Sequence, residues 1–194
     1  MDLDQTDPSA IEAALVTDKG TMVLTFFPEQ APRHVRSFLT LAQQGFYDGI
    51  AFHRIVRNFM IQTGCPHSKQ GAEGQPGTGG PGYEIPAEFN DIPHRRGIVS
   101  MARSRDPNSA GSQFFIVHAD HADFLDGQYT VFGQVEEGLD VLDEIAGVEC
   151  DFGPAGERSK PRERVEILRI DLRPRQQRVD EAAEAAEGAE EAES

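Results

Sequence analysis

The sequence predicts a mainly β domain, a barrel or a sandwich whose open ends are covered by two helices. Short apolar or alternating segments, typical of β-strands, recur along most of the chain. Only two segments carry apolar residues at the spacing of three and four that marks an amphipathic helix. Turns rich in glycine and proline separate the segments, and the strand–helix alternation of a parallel sheet is absent.

The first predicted elements are a β-hairpin and a helix. Residues 11–28 form the hairpin, with its turn near Asp18-Lys19-Gly20. Pro32 then opens a helical pattern that ends before Gly45, the order in which helices commonly begin and end. The apolar face of this helix consists of Val35, Phe38, Leu39 and Ala42.

The rest of the chain is predicted to contain further strands, a long loop and a second helix. The segment FHRIVRNFMIQTG, residues 52–64, is predicted as one strand, and the glycine-rich residues 64–91 as a surface loop. A short helix is predicted at 138–147. The other strands are predicted at 97–103, 112–119, 129–135 and 164–173, with turns at 106–111 and 125–127.

The two ends of the chain are predicted to lie outside the folded domain. Residues 1–9 are short and polar, which predicts a disordered leader. Residues 175–194 are rich in alanine and glutamate and contain no aromatic residue. This composition predicts a disordered acidic tail or a solvated helix, and it leaves residues 10–174 as the domain.

The charge of the chain narrows the class of partner. Asp and Glu number 33 against 18 Lys and Arg, a net charge of −15, which argues against nucleic acid or an anionic membrane as a partner.

No signal peptide and no apolar run of about 20 residues is visible, so a cytoplasmic location is expected. Cys65 and Cys150 are expected as reduced thiols, although one bridge stays open. Nothing demands an oligomer, so a monomer is expected.

An arginine inside the predicted strand at 52–64 is the first candidate for function. Apolar residues occupy both faces of this strand, so Arg54 lies among apolar neighbours. A buried guanidinium needs a partner, and the stretch contains no Asp or Glu. On the residues alone, a structural ion pair or an arginine that reaches to solvent is favoured over a functional role.

The strand predicted at 112–119 has a similar character. Gln113, Phe115 and Val117 share one face of it. Beside the arginine-bearing strand, this face could complete an apolar cup with a few polar side chains, the usual composition of a small binding site. The alternative is that Phe114 and Phe115 are ordinary core residues. It must be correct for one of the two, because neighbouring residues of a strand face opposite ways.

Six segments resemble, in order and spacing, the cyclophilin family of peptidyl-prolyl cis–trans isomerases. They are FHRIVRNFMIQTG, GTGGPGYEIPAEFN, GIVSMAR, GSQFFIVHA, FLDGQYTVFGQV and GLDVLDEI. The resemblance covers about residues 10–173, and the first and fourth segments together are highly specific. It implies a closed eight-stranded antiparallel β-barrel capped by two α-helices. It also implies that the partners are proline-containing peptides and unfolded or folding proteins, with no cofactor or metal.

The resemblance assigns roles residue by residue. Arg54 matches the catalytic arginine. The residues that match the pocket for the proline ring are Phe59, Met60, Phe115 and Leu125. Those that match groups along the substrate backbone are Gln62, Gln113, Ala102 and Arg103. Phe59 has the opposite strand parity to Arg54, so the pleat must break near Arg57-Asn58, as a bulge or a turn, for both to line one pocket.

The reaction explains why an arginine fits this position. Rotation about a peptide bond meets a barrier of about 18–20 kcal/mol from amide resonance. The twisted amide has a nitrogen that accepts a hydrogen bond, so a fixed charged donor such as Arg54 stabilises the transition state more than the ground state. No nucleophile, base or metal is required. A proline-peptide binding or chaperone module without turnover is the alternative, and it would not need Arg54.

Arg57-Asn58 stands where many eukaryotic cyclophilins have a Pro-Gly turn, and three further positions depart from their pattern. Phe124 stands where those proteins have a Trp that donates a hydrogen bond to cyclosporin, so weak cyclosporin binding with intact catalysis is expected. Tyr129 replaces a common His, and Arg103 a common Asn. Both are candidates for altering which residues are accepted beside the proline.

The histidines and cysteines raise a metal hypothesis. Cys65 and His67 could supply two ligands, but no second pair at zinc spacing follows. Surface or core histidines are therefore the preferred interpretation.

Overall fold

The computed structural model describes residues 1–176. In chain order the elements are β1 (Ile11–Thr17), β2 (Gly20–Phe26), α1 (Pro32–Gln43), β3 (Arg54–Val56), β4 (Met60–Thr63), β5 (Ile98–Met101), β6 (Phe114–Val117), β7 (Val131–Glu137), α2 (Leu139–Ala146), β8 (Cys150–Phe152), β9 (Arg158–Pro161) and β10 (Ile167–Pro174). Eight of the strands form one antiparallel sheet in the order β10-β1-β2-β7-β5-β6-β4-β3, and β8 and β9 form a separate hairpin.

The sheet curls into a half-barrel, and its two end strands are not hydrogen-bonded neighbours. One bridge, between Ala51 and Glu166, joins the segments that precede β3 and β10, where Phe52 N donates to Val165 O at 2.9 Å. β3 is only three residues long and begins after these residues, so it forms no ladder with β10. The predicted eight antiparallel strands and two helices are confirmed, whereas a fully closed barrel was too strong a prediction.

The main hydrophobic core lies between the sheet and the two helices. From α1 it receives the apolar residues that the periodicity predicted, Val35, Phe38, Leu39 and Ala42. From α2 it receives Val141, Leu142, Ile145 and Ala146. The two helices therefore cover one apolar surface of the sheet and leave the other surface available.

The long loop caps the start of α1. Ala31, at the N-cap, has no side-chain cap of its own. The Glu88 carboxylate instead accepts hydrogen bonds from the backbone N–H groups of Arg33 and His34, both at 3.1 Å. Because the first N–H groups of a helix lack partners within it, this carboxylate takes the place of a capping residue and ties the loop to the helix.

Strand β6 divides its residues between the two surfaces. Phe114 and Ile116 belong to the main core. Phe115 and Val117 belong to a second apolar cluster on the opposite surface, together with Met60. Core packing is therefore the correct interpretation of Phe114, and Phe115 is free to line a site.

Two segments differ from the predicted elements. Residues 52–64 form two short strands, β3 and β4, rather than one strand. The chain between α2 and β10 forms the β8–β9 hairpin, which the sequence did not predict because these segments are short and largely polar.

Residues 1–9, predicted as a disordered leader, make defined contacts in the structure. Leu3 is 9% exposed and belongs to the main core. Arg36 of α1 donates to the Leu3 carbonyl at 3.1 Å and pairs with Asp4. The limits of the domain at residues 10 and 174 stay a prediction, and the acidic tail after residue 176 lies outside the described residues. Within residues 1–176 no helix has the length and apolar character needed to cross a membrane.

Candidate active site

The β3–β4 hairpin brings the candidate polar residues together on the outer surface of the sheet. Arg54 is paired with Gln62, and Val56 with Met60. β4 also pairs with β6, where Gln62 lies opposite Phe115. Arg54 and Phe115 therefore flank the same strand, and the face predicted from strand parity is present.

A tight turn brings Phe59 to the same side as Arg54. Phe59 N donates to Val56 O at 3.0 Å, and Asn58 has a φ of 62°. Asn adopts this left-handed conformation more readily than most residues. The Arg54 Cζ atom lies 6.0 Å from the centre of the Phe59 ring. The predicted break near Arg57-Asn58 is confirmed as a turn.

A cavity of about 120 Å³ lies among these side chains. It is lined by Arg54, Phe59, Met60, Gln62, Ala102, Arg103, Phe115, Leu125 and Tyr129. Three of the apolar lining residues are buried, namely Met60, Phe115 and Leu125. Six apolar or aromatic side chains, with two guanidiniums and an amide among them, are the usual makeup of a small specific binding site.

Arg54 is both paired and open to the cavity. Its Nε donates to Glu157 Oε1 at 2.6 Å, and its Nη1 lies 3.4 Å from Gln62 Oε1 and 3.9 Å from Met60 Sδ. The Arg54 side chain is 35% exposed. The ion pair that the residues alone favoured is present, and it coexists with a position at the edge of the cavity.

A chain of amides continues from Arg54 to the glycine-rich loop. Gln62 Nε2 donates to Gln113 Oε1 at 3.1 Å. Gln113 Nε2 donates in turn to the carbonyls of Gly77 and Gly79, at 2.9 and 2.8 Å. Gln113 does not line the small cavity, but it lines the larger cavity beside it, where it also holds the loop and orients Gln62.

A larger cavity of about 720 Å³ adjoins the small one. The two share Gln62, Ala102 and Arg103, and residues 77–84 of the long loop form another wall of the larger cavity. The shared residues make one continuous depression.

Aromatic rings surround the opening of the small cavity. The Arg103 guanidinium lies 4.7 Å from the centre of the Tyr129 ring and 5.9 Å from that of Phe89. Phe124 is 64% exposed, and its ring centre lies 5.4 Å from that of Phe59. Of the predicted site residues, Phe124 therefore lies beside the cavity, not in its lining.

The comparison with known families agrees with this geometry. The profile of the family described as "Cyclophilin type peptidyl-prolyl cis-trans isomerase/CLD" matches residues 13–172. The chain belongs to this family.

Relatives of this cyclophilin include bacterial proteins named as isomerases. A peptidyl-prolyl cis-trans isomerase of Synechococcus elongatus is 51% identical over 126 residues, 65% of this chain and 81% of that protein. One of Helicobacter pylori (strain 26695) is 45% identical over 138 residues, 69% of this chain and 78% of that protein.

Solved cyclophilin structures share the fold. A cyclophilin type isomerase of Cryptosporidium parvum has a TM-score of 0.73 and 28% identity, covering 85% of this chain and 98% of that chain. A structure of that protein in the presence of the dipeptide Ala-Pro has a TM-score of 0.72 and 29% identity, covering 84% of this chain and 99% of that chain.

A buried polar cluster supports the pocket of this cyclophilin from behind. His94 Nδ1 lies 2.7 Å from Asp126 Oδ1, and His94 Nε2 lies 3.0 Å from Ser100 Oγ. Ser100 and His94 are fully buried, so no substrate can reach them as a catalytic triad. The His94 ring stacks on Phe115 at 6.1 Å, and Asp126 follows Leu125 directly. The cluster therefore fixes two walls of the pocket.

The protonation of this cluster follows from its surroundings. Burial lowers the pKa of His94, although Asp126 opposes the shift. Partial burial raises the pKa of Asp126, but the hydrogen bonds donated by His94 outweigh it and lower the pKa overall. A neutral His94 then donates from Nδ1 to the Asp126 carboxylate. The place of Asp126 directly after Leu125 could have suggested that it supports the site. No feature of the sequence pointed to such a role for His94 or Glu157.

Both cysteines are free thiols in the structure. Cys65 Sγ accepts hydrogen bonds from the N–H groups of Gly77 and Gly79, at 3.1 and 3.2 Å, so it holds the same two glycines as Gln113. Within residues 1–176 no group of three His, Cys, Asp or Glu side chains is arranged to hold a metal ion.

Proposed function

We propose that the protein catalyses cis–trans isomerisation of peptide bonds that precede proline, in peptides and in folding proteins. The position of the Arg54 guanidinium carries this proposal: it lines a cavity of about 120 Å³ beside apolar and aromatic side chains, a space suited to a single small ring. Within residues 1–176, its Nη2 has no hydrogen-bond partner. A charged donor is therefore available to whatever enters the cavity.

The chemistry requires no more than this donor and a grip on the ring. As the amide twists, its nitrogen lone pair is released from resonance and accepts a hydrogen bond from Arg54. The apolar lining excludes water, which strengthens that electrostatic contact. Acceleration by about five decades requires about 7 kcal/mol of transition-state stabilisation. One charge-assisted hydrogen bond and the positioning of the ring share this amount.

The remaining site residues fit a peptide on either side of the proline. In this proposal the ring packs against Phe59, Met60, Phe115 and Leu125. Gln62 and Ala102, at the junction of the two cavities, contact the peptide backbone, and the larger cavity takes the neighbouring residues. The Cryptosporidium relative, studied in the presence of Ala-Pro, supports a proline-containing ligand.

The test is the rate of exchange of a short Ala-Ala-Pro-Phe type peptide, measured by NMR exchange spectroscopy. Uncatalysed exchange takes tens to hundreds of seconds, and we expect catalytic amounts of the protein to bring it below about a second. Binding of the peptide at an unchanged exchange rate would show a proline-peptide binding module instead of an enzyme.

Cyclosporin affinity is expected to depend on Phe124. Phenylalanine has no donor, so the natural protein should bind cyclosporin weakly. Phe124→Trp adds an indole N–H at the rim and is expected to tighten binding about fivefold to tenfold, a gain of about 1 kcal/mol. Isothermal titration of both proteins measures this, and kcat/KM should stay within about twofold because Phe124 lies outside the lining.

Phe152→Trp is the matched control for this change. Phe152 is 65% exposed, against 64% for Phe124, and lies on the β8–β9 hairpin. An equal gain in both variants would mean that added aromatic surface, not a donor at the rim, sets the affinity.

A further inference from the structure

The β8–β9 hairpin supplies a carboxylate to the candidate catalytic arginine. Glu157 Oε1 accepts from Arg54 Nε at 2.6 Å, and the two side chains are 32% and 35% exposed. The two residues are 103 positions apart in sequence. Glu157 is not among the residues that line the small cavity, so it contacts Arg54 from outside that cavity.

The hairpin holds Glu157 in a defined position. Gly153 N donates to the Glu157 carbonyl at 2.8 Å, and Gly156 N donates to the Gly153 carbonyl at 3.0 Å. Ser159, two residues further on, is 4% exposed. The carboxylate therefore projects from a hydrogen-bonded loop with a buried anchor.

The base of the same hairpin is joined to the strand that carries Arg54. The Cys150 thiol lies 3.6 Å from the carbonyl of Ile55 in β3, and Arg162 N closes the hairpin by donating to Glu149 O at 2.8 Å. The hairpin and β3 are therefore one packed unit, so Glu157 stays in register with Arg54.

This contact constrains the guanidinium in a way that matters for catalysis. An arginine side chain with one end free samples many rotamers. Glu157 holds Arg54 Nε on one side of the planar guanidinium, and Nη1 lies near Gln62. Nη2 therefore stays available to donate to a ligand. An ion pair whose side chains are about one third exposed contributes little to stability, so the larger effect of this pair is to orient Arg54.

We propose that Glu157 is a positioning residue for the isomerase reaction, which holds the Arg54 fork in the orientation that the twisted amide requires. This inference rests on the proposed function. Glu157 itself touches no substrate and acts only through Arg54. Replacing Glu157 should therefore lower kcat. KM reflects binding of the proline ring and should stay nearly constant.

A graded series of variants tests this role. Glu157→Ala removes the acceptor and is expected to lower kcat about tenfold, with KM within about twofold. Glu157→Gln retains an amide oxygen as acceptor, so it should recover part of the loss, to about threefold below the natural protein. Asp151→Asn is the matched control, because Asp151 lies on the same hairpin, pairs with Arg162 and makes no contact with Arg54. It should keep the kcat of the natural protein.

The side-chain NMR signal of Arg54 Nε–H gives a second readout that activity does not affect. It is assigned by its loss in Arg54→Lys. We expect slow solvent exchange in the natural protein, intermediate exchange in Glu157→Gln and fast exchange in Glu157→Ala. This series reports whether Glu157 holds Arg54 even if the protein proves to be no isomerase, so the two proposals can fail separately.

Three kinetic results would overturn the positioning role. An unchanged kcat in Glu157→Ala, at faster Nε–H exchange, would show that orientation by Glu157 does not limit the reaction. A raised kcat would show that the carboxylate restrains the arginine and inhibits it. A loss confined to KM would instead place Glu157 at the substrate.

Discussion

Replacing Arg54 with alanine is expected to lower kcat/KM about 100-fold to 1000-fold, the usual cost of removing one preorganised donor from a transition state. Arg54 lines a small cavity beside apolar and aromatic side chains, where water replaces such a donor poorly. The fold should survive, because Arg54 is 35% exposed and the Glu157 carboxylate left behind is 32% exposed. Exchange spectroscopy on the proline peptide measures the rate, and circular dichroism checks the fold.

Two further variants separate charge from geometry at this position. Arg54→Lys keeps a positive charge without the planar fork, so it should recover only about tenfold of the loss. Arg57→Ala removes an exposed arginine from the turn of the same hairpin, outside the small cavity, and should leave kcat/KM unchanged. A loss below about threefold in Arg54→Ala would remove Arg54 from the mechanism.

Local pattern in the sequence predicted the parts of the site that lie on strands. Strand parity alone placed Gln113 and Phe115 on one face, and the pairing of β4 with β6 sets Gln62 opposite Phe115. The turn at Asn58 followed from the need to bring Phe59 round to Arg54. The individual roles came from the resemblance to cyclophilins, because periodicity shows which residues share a face and not what that face binds.

Contacts between distant segments could not be predicted in this way. Glu157 reaches Arg54 across 103 positions, from a hairpin whose strands are too short and polar to show a pattern. His94 and Asp126 meet behind Phe115 through a loop and a single turn of helix. The incomplete closure of the barrel depends on where β3 begins relative to the Ala51 bridge, a detail of two or three residues. Each of these is decided by tertiary packing.

The apolar face of α1 allows a strong test of the fold that spares the site. Phe38 is fully buried, and its ring centre lies 5.3–5.5 Å from those of Phe26, Tyr47, Phe114 and Phe132. Phe38→Ala leaves a void among four rings and is expected to lower the free energy of unfolding by about 3–5 kcal/mol. At about 2–4 °C per kcal/mol for a chain of this size, Tm should fall by about 6–20 °C.

The same variant shows how far the core and the active site are independent. Phe38 contacts Phe114 on the core surface of β6, whereas Phe115 faces the cavity from the other surface. At a temperature where the variant is folded, kcat/KM should therefore match that of the natural protein. Phe38→Leu, which keeps most of the volume, should lower the free energy of unfolding by less than about 1.5 kcal/mol. A loss of activity in folded Phe38→Ala would mean that β6 transmits strain from the core to Phe115, because interiors are too densely packed for one surface of a strand to shift alone.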